Sequence, residues 1–145
     1  MRKDLRFRQR VWLPSTERAL EQAVARVRRL AIQCCCPEDR LADLEIAVRE
    51  AMANAIQHGN GTRPRRKIFL RCYGGPDVGI FILVRDQGNG FDPDAVPDPR
   101  RADRMHLHHG RGLLIMRGLM DHVEYRKGGR EVLLFRARRS TSQDE

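Results

Sequence analysis

The sequence predicts an α+β fold, a two-layer sandwich in which helices cover one face of a mixed, mostly antiparallel β-sheet. Three observations predict it. Short runs have the two-residue period of strands, and longer runs have apolar residues at the three- and four-residue steps of helices. The order along the chain is strand, helix, helix, two strands, helix, two strands. Glycine-containing turns join the later strands into antiparallel pairs, and the helices then bury their apolar faces on one side of the sheet.

The chain begins with a strand and a helix. Residues 5–13 alternate apolar and polar side chains, which predicts a strand at an edge of the sheet. Pro14 is followed by Ser15 and Thr16, either of which can cap a helix that runs to about Gln33. The apolar residues of this helix recur at helical spacing, and we expect them to be buried: Leu20, Ala23, Val24, Val27 and Leu30.

The central helix is predicted from Leu41 to Gly59, a stretch rich in Ala, Leu, Glu and Arg without an internal Gly or Pro. Along the edge of its apolar stripe, Glu50, Asn54 and His58 are spaced one helical turn apart, so their side chains share one face. Taken alone, they are ordinary polar residues flanking an amphipathic helix. A carboxylate, a carboxamide and an imidazole in one row can also form a site, and the segments that follow favour this second interpretation.

Four further strands follow from short apolar runs bounded by turns. One of these runs, Val78–Arg85, is apolar on both faces, which predicts an inner strand. Glycine pairs in residues 74–77 and 127–129 mark the two hairpin turns. The predicted strands are Lys67–Tyr73, Val78–Arg85, His122–Arg126 and Glu131–Arg138.

Between the two hairpins, residues 92–109 have no periodic pattern. A structureless run of this length in a compact domain is typically a functional lid. Directly after it come Gly110–Gly112, and an apolar helix is predicted at Leu113–Met120. The free N–H groups at the start of such a helix, approached through glycines, are suited to bind phosphate oxygens.

The chain of 145 residues fits one domain, which we expect to have a core at about 8–138 and a polar tail at 139–145. No apolar run approaches the roughly 20 residues that cross a bilayer, and the basic start of the chain leads into no signal segment. The sequence therefore predicts a cytoplasmic protein.

The cysteines lack the C-x-x-C spacing of zinc sites and are expected to be reduced thiols without an assigned function: Cys34, Cys35, Cys36 and Cys72.

The formal charge is +9, from 28 basic and 19 acidic side chains. Such an excess favours nucleic acids, acidic protein surfaces and polyphosphate ligands alike. The chain has neither an aromatic-rich strand of the RNA-recognition type nor a helix-turn-helix pattern with a glycine turn. The charge alone does not decide among these partners. Basic charge that serves phosphates and acidic proteins is the more economical account, and we expect neither membrane contact nor direct nucleic-acid binding.

Three patterns stand in order along the chain: E-x-x-x-N-x-x-x-H in the central helix, D-x-G-x-G-F after an apolar strand, and G-R-G-L before a helix. Each is common by itself, since D-x-G-x-G is often only a turn. Together they resemble the ATP-binding domain of the GHKL superfamily, and most closely its bacterial anti-sigma-factor serine/threonine kinase branch. AVREAMANAIQHG resembles the N-box of that branch, RDQGNGFDP its first glycine box and GRGLLIMRGLMDHVEY its second. The resemblance covers about residues 8–138.

The resemblance implies a Bergerat ATP-binding fold that binds ATP with Mg²⁺. It assigns Glu50 as the general base and Asn54 as a ligand of the metal. Both roles suit the chemistry, because a positioned carboxylate can accept the proton of an attacking hydroxyl. A carboxamide oxygen is a hard ligand of the kind that Mg²⁺ takes. Asp86 would accept a hydrogen bond from the adenine amino group, and the glycines after it let the backbone approach the base.

Closure of residues 92–109 over bound nucleotide is the expected gating step. The family often has an Arg shortly before the second glycine box, where this chain has residues 106–109, HLHH, and a Thr where this chain has Arg130. The nucleotide contacts that the resemblance implies are at Asn54, Asp86, Gly88, Gly90, Gly110, Arg111, Gly112 and Leu113.

The function that the resemblance implies is that of an ATP-dependent serine/threonine protein kinase and anti-sigma regulatory factor. In this branch the kinase phosphorylates an anti-sigma-factor antagonist of the STAS type. The unmodified antagonist displaces a sigma factor, phosphorylation releases the antagonist, and the kinase is a homodimer. The departures from the family pattern in the predicted lid, at residues 106–109, leave one alternative open: a non-catalytic ATP-gated binding module. A histidine-kinase ATPase domain is disfavoured because residues 15–33 contain no His for a phospho-accepting helix.

Overall fold

Five strands form one antiparallel sheet in a computed structural model of the chain, which describes residues 7–34, 36–61, 63, 65–89 and 104–137. Every described pairing is antiparallel, and the order across the sheet is β1-β2-β3-β5-β4. β1 lies at an edge and β3 in the interior, as the sequence predicts. The strands are β1 (Phe7–Pro14), β2 (Lys67–Gly75), β3 (Gly79–Arg85), β4 (His122–Arg126) and β5 (Glu131–Ala137).

Three helices pack on this sheet: α1 (Glu17–Gln33), α2 (Glu38–Asn54) and α3 (Arg104–Leu119). Alternate side chains of the strands join the helices in one hydrophobic core. The predicted α+β sandwich is confirmed, with a sheet that is antiparallel throughout the described strands rather than mixed. Within the described ranges, no helix is long and apolar enough to cross a membrane. Among the largest fully buried side chains are Leu30, Leu44, Met52, Ile68, Leu70, Ile82, Met116 and Leu134.

α1 begins and ends where the sequence predicts. Thr16 is the N-cap, and its hydroxyl oxygen accepts a hydrogen bond from the Ala19 amide at 3.2 Å. This bond satisfies one of the amide groups that the first turn of a helix leaves free. The apolar residues predicted to be buried all lie in the core: Leu20, Ala23, Val24, Val27 and Leu30.

α2 continues into one wider π-helical turn, Ala55–Gly59, so the predicted central helix is present as two segments. The Asn60 amide closes this turn by donating to the Ala55 carbonyl at 2.7 Å. A π-turn contains one more residue than an α-turn and rotates the side chains that follow it about the helix axis. His58, in the π-turn, is therefore displaced from the row that Glu50 and Asn54 begin.

Asn60 ties three other segments to the end of this turn and is completely buried. Its Nδ2 donates to the Ser15 hydroxyl and to the Lys67 carbonyl, both at 3.2 Å. Its Oδ1 accepts from the Gln87 amide at 2.8 Å. One side chain thus holds the segment before α1, the start of β2 and the exit from β3 against the end of α2.

α3 differs from the prediction at its start. It begins at Arg104 and not at Leu113. Residues 104–109, predicted to be a structureless lid, are therefore helical, and residues 92–103 lie outside the described part of the chain. The prediction rested on glycine, which disfavours a helix interior by about 1 kcal/mol relative to Ala. Packing of α3 against α2 overrides this preference, and Gly112 is buried inside the helix.

Three cysteines that the structure describes, Cys34, Cys36 and Cys72, are not in disulfide bonds. Burial raises the pKa of the Cys72 thiol to about 11. Since the thiolate is the reactive form, Cys72 is unreactive near neutral pH. Cys35 lies outside the described residues.

We expect Asn60→Ala to lower the free energy of unfolding by about 2–4 kcal/mol, because each buried polar group left without its partner costs about 1–3 kcal/mol. The substitution removes the hydrogen bonds to Ser15, Lys67 and Gln87. Urea unfolding followed by circular dichroism measures the change. Gln57→Ala, at an exposed position of the neighbouring turn, is the control and should change the value by less than about 0.5 kcal/mol. Equal effects of the two substitutions would contradict the role of Asn60.

Candidate functional site

The candidate site lies where the C-terminal end of α2 meets α3 and the segment after β3. Glu50 and Asn54 lie one turn apart on α2, and both are partly exposed. The opposite face of α2 is apolar, and Leu44, Val48 and Met52 on that face are completely buried. The amphipathic pattern of the helix therefore determines the direction in which the two polar side chains point.

The backbone of α3 passes directly over these two side chains at Gly112. A Cβ atom built on Gly112 would lie 2.8 Å from Asn54 Nδ2 and 3.2 Å from Glu50 Oε2. Real Cβ atoms essentially never approach another atom to 2.8 Å, so any larger residue at this position would displace the carboxamide. The structure thus brings together the predicted general base, the predicted metal ligand and one glycine of the second glycine box.

The Asn54 carboxamide fits the predicted metal site. Its Nδ2 is buried and has no hydrogen-bond partner among the described residues. Tyr125 approaches it from β4: burial raises the pKa of this phenol to about 12, and the neighbouring Asn54 amide opposes the rise. The unpaired Nδ2 is a hydrogen-bond donor and suits an acceptor such as a phosphate oxygen, whereas Oδ1 is the atom that could bind a metal ion. One such oxygen is enough for Mg²⁺, which usually takes one or two protein oxygens and fills its shell with phosphate and water.

Asp86 forms the second part of the site, directly after β3. Its carboxylate is buried and accepts a hydrogen bond from the Gly88 amide at 2.7 Å. Its own amide donates to the Arg130 carbonyl at 2.9 Å. Burial raises the pKa of this carboxyl group, while the Gly88 amide and the charges of Arg130 and Arg66 oppose the rise. One carboxylate oxygen is held by the backbone, and the second can accept from an amino group of a ligand.

Two glycines make room for this arrangement. A Cβ atom on Gly59 would overlap the Asp86 carboxylate, and a Cβ atom on Gly88 would overlap the Gly59 carbonyl. The sequence predicts that Gly88 lets the backbone approach a nucleobase, and in the structure it lets the loop after β3 approach the end of α2. Gly59 is predicted only to end the helix, but it also forms the surface against which Asp86 packs.

The remaining predicted contact residues are divided between α3 and the part of the chain outside the described residues. Gly110 and Arg111 lie within α3, where only their backbone is described, and Leu113 is partly buried on the same helix. Gly90 lies outside the described residues. The prediction that Gly110–Gly112 lead into a helix N-terminus is wrong for this structure. Amides in a helix interior donate to carbonyls of the same helix, so they are not free to bind phosphate.

Sequence reasoning missed two residues of the site, Asn60 and Tyr125. Asn60 holds the Asp86 loop through the Gln87 amide, and its only signal is a polar residue between two glycines at the end of a helix. Tyr125 belongs to the inward-facing side chains of β4, which the two-residue period of that strand predicts. Both Asn54 and Asp86 influence the pKa of Tyr125, so its side chain lies near both parts of the site.

We expect Gly112→Ala to weaken nucleotide binding by about tenfold or more, because the added methyl group would push the ends of Asn54 and Glu50 out of position. These are mobile side-chain ends, so the protein should remain folded. Gly118→Ala is the matched control on the same helix, since a Cβ atom there meets nothing within 4 Å. It should leave binding unchanged and raise the free energy of unfolding by about 0.5–1 kcal/mol. Fluorescent-nucleotide titration measures the affinity and thermal unfolding measures the stability of each variant. Unchanged affinity of Gly112→Ala would show that α3 is not part of the nucleotide site.

We expect Asp86→Asn to weaken binding of adenine nucleotides about 10- to 100-fold, because a hydrogen bond to a charged group contributes about 1.5–3 kcal/mol. The same substitution should stabilise the free protein at pH 7, since it removes a buried charge. Because the pKa of Asp86 is raised in the folded state, the folded wild type binds this proton at a higher pH than the unfolded chain does. As the pH falls through that pKa, the wild type should therefore gain stability, and the difference in free energy of unfolding between variant and wild type should shrink. Urea unfolding at several pH values tests this, and a difference independent of pH would contradict it.

Comparison with known proteins identifies the family of this domain. Residues 13–136 match the family model of the histidine kinase-like ATPase domain. An anti-sigma F factor of Heyndrickxia coagulans is 31% identical over 122 residues, which cover 81% of this chain and 83% of that protein. An anti-sigma F factor of Oceanobacillus iheyensis is 34% identical over 88 residues, 59% of this chain and 60% of that protein. The serine-protein kinase RsbW of Bacillus subtilis is 32% identical over 91 residues, 59% of this chain and 56% of that protein.

The matches with the Oceanobacillus and Bacillus proteins span less than two thirds of the length of those relatives. The family model, in contrast, matches from the end of β1 into β5 and includes both parts of the site. The chain belongs to the histidine kinase-like ATPase domain family, in which its relatives include anti-sigma factors and serine-protein kinases.

Proposed function

We propose that this chain is an ATP-dependent serine/threonine protein kinase that acts as an anti-sigma regulatory factor. Membership of the ATPase family supports binding of ATP. The names of the relatives, anti-sigma F factor and serine-protein kinase, support the regulatory role and the reaction. The observation that carries the proposal is the approach of Gly112 to Glu50 and Asn54, because it gathers a carboxylate, a carboxamide and a glycine box in one place.

Each part of the site has a role in this reaction. Glu50 accepts the proton of the attacking serine or threonine hydroxyl, as the positioned carboxylate of a phosphotransferase does. Asn54 offers an oxygen to Mg²⁺. Asp86 accepts a hydrogen bond from the adenine amino group, which favours adenine over guanine because guanine has a carbonyl oxygen at that position. When bound, ATP with Mg²⁺ supplies the phosphoryl group.

The protein partners in this proposal are an anti-sigma-factor antagonist of the STAS type and a sigma factor. The unmodified antagonist displaces the sigma factor, and phosphorylation of its serine or threonine releases it. The net charge of +9 suits acidic surfaces on such partners and the phosphates of the nucleotide. The proposal includes a cytoplasmic location and a homodimer, and it includes no contact with a membrane or with nucleic acid.

The helical start of α3 favours a second candidate, a non-catalytic ATP-gated binding module. The amides of residues 110–112 lie inside α3, so they reach phosphate oxygens only when the first turns of the helix shift or unwind. Nucleotide would then select one of two forms of α3, and a partner that binds only one form would be bound or released without phosphoryl transfer. Stoichiometric transfer of phosphate to the antagonist rejects this candidate.

We expect Glu50→Gln to bind ATP with nearly unchanged affinity and to phosphorylate the antagonist about 10²- to 10⁴-fold more slowly, the usual contribution of a general base. The amide keeps the size of the carboxylate but cannot accept the proton. Glu45→Gln is the control on the same helix, because Glu45 forms a surface ion pair with Arg28 at 2.7 Å and lies outside the site. Radiolabelled ATP, Mg²⁺ and a STAS-type antagonist provide the assay. Equal rates of antagonist phosphorylation by the two variants would show that Glu50 is not the general base. A wild-type protein that binds ATP but transfers no phosphate to the antagonist would favour the gated binding module.

A further inference from the structure

A cavity of about 350 Å³ lies at the opposite end of the sheet from Asp86. It is bordered by the start of β3 and the first turn of α2, whereas the candidate site is at the ends of both elements. The first and last turns of α2 are about 20 Å apart, because the helix rises about 1.5 Å per residue. The volume is within the range of small-molecule pockets, about 300–1,000 Å³. The cavity is therefore a candidate for a second site, separate from the one that we assign to nucleotide.

The walls of the cavity combine apolar and cationic groups. The turn between α1 and α2 contributes Pro37, the turn between β2 and β3 contributes Pro76, and β3 contributes Ile80. Arg40 in the first turn of α2 and Arg136 near the end of β5 supply guanidinium groups. Ligand pockets typically have this composition, in which a mostly apolar lining contains a few polar groups that fix the orientation of the ligand.

Arg136 occupies a position at which the strand pattern predicts an apolar residue. It is paired with buried Ile80 and follows buried Leu134 by two residues, so all three lie on the face of the sheet that packs against the helices. Only 16% of its side chain is exposed. A charged group in such a position requires partners, because burial of an unpaired charge destabilises the fold.

The described contacts of Arg136 leave part of its guanidinium group without a hydrogen bond. Nη1 donates to the Leu119 carbonyl at 2.5 Å, and this bond caps the C-terminal end of α3. Nε is buried and has no hydrogen-bond partner among the described residues. The Asp121 carboxylate is 4.0 Å from Nε, which is too far for a hydrogen bond. The helix cap thus explains one contact of this group, and an acceptor from a ligand could use the donors that remain.

Arg40 approaches the same place from α2. Burial raises the pKa of the Cys36 thiol at the cavity wall, and the charges of Arg136 and Arg40 oppose the rise. Asp39 adds to the rise, but less strongly than either arginine opposes it. Because the effect of a charge decreases with distance, both guanidinium groups lie near this one thiol. Asp77 also lines the cavity, so its described walls contain two guanidinium groups and one carboxylate, which is a net positive charge.

We propose that this cavity binds a small organic anion, either a carboxylate or a phosphate monoester. The oxygens of the anion accept hydrogen bonds from Arg40 and Arg136, since a guanidinium group matches the geometry of carboxylate and phosphate oxygens. The apolar part of the ligand lies against Pro37, Pro76 and Ile80. This second site does not depend on ATP binding or on phosphoryl transfer.

Titration of the full chain with benzoate and with phenyl phosphate, followed by amide NMR spectra, tests the proposal. At least one of the two anions should give saturable shifts of the amide signals at the cavity, including those of Arg40, Ile80 and Ala137. Benzyl alcohol has a similar shape without the charge, and it should give no saturable shifts there. The anion that binds more tightly identifies the ligand class: benzoate indicates a carboxylate and phenyl phosphate indicates a phosphate ester.

Arg40→Gln and Arg136→Gln should each weaken binding of that anion about tenfold or more, because each removes hydrogen bonds to a charged group. Arg29→Gln is the matched control, since Arg29 is an exposed arginine of α1 outside the cavity and its loss changes the net charge equally. It should leave the affinity unchanged. Arg136→Gln also removes the bond to the Leu119 carbonyl, so circular dichroism checks its fold. Arg40 is partly exposed, and its substitution keeps the test valid if the Arg136 variant does not fold.

Fluorescent-nucleotide titration of Arg40→Gln separates this proposal from the proposed function, because the variant should bind nucleotide with unchanged affinity. Four results would overturn the proposal. The first is the absence of saturable shifts at the cavity with either anion. The second is a set of shifts confined to Glu50, Asn54 and Asp86, which would assign the anions to the candidate nucleotide site. The third is equal binding of benzyl alcohol, which would make the cavity an apolar cleft. The fourth is an equal loss of affinity in Arg29→Gln, which would indicate a general effect of charge.

Discussion

The close packing of backbone around the C-terminal end of α2 is the constraint on which the site depends. Gly59, Gly88 and Gly112 come from three separate segments, and each stands where a Cβ atom would strike a neighbouring segment. Because no side chain separates these segments, Glu50 and Asn54 come within reach of the backbone of α3, and Asp86 packs against the end of the π-turn. The positions of the candidate site residues Glu50, Asn54 and Asp86 depend on these close approaches.

The same packing also buries a carboxylate, which lowers the stability of the protein when no ligand is bound. Asp86 is a buried carboxylate whose pKa burial raises, and the Gly88 amide and two nearby arginines oppose that rise. A buried charge of this kind destabilises a fold unless the surroundings hold it in place. Asn60 provides such support, because its hydrogen bonds connect the loop after Asp86 with three other parts of the chain. The hydrogen bonds of Asn60 thus offset the destabilising effect of a carboxylate that we propose contacts the nucleotide.

The two faces of the sheet differ in the side chains that they carry. One face joins the helices in the core and holds the site at its edge. An antiparallel sheet with one face in water normally has polar residues on that face. Here the face opposite the helices has aromatic rings and arginines instead, including Trp12, Phe81 and Phe135. The proposed nucleotide site and this aromatic surface therefore lie on opposite sides of one sheet.

Local patterns in the sequence determined the strands, the start of α1 at Thr16, the burial of one face of α2 and the row that Glu50 and Asn54 begin. These features depend on side chains a few residues apart, so periodicity and capping residues are sufficient to predict them. Only the tertiary structure decided that α3 begins at Arg104, that Asn60 is a buried connection, and that aromatic residues of separate strands form one surface. Each of these depends on contacts between residues distant in sequence, where packing against another element outweighs the local preference of a glycine or an asparagine.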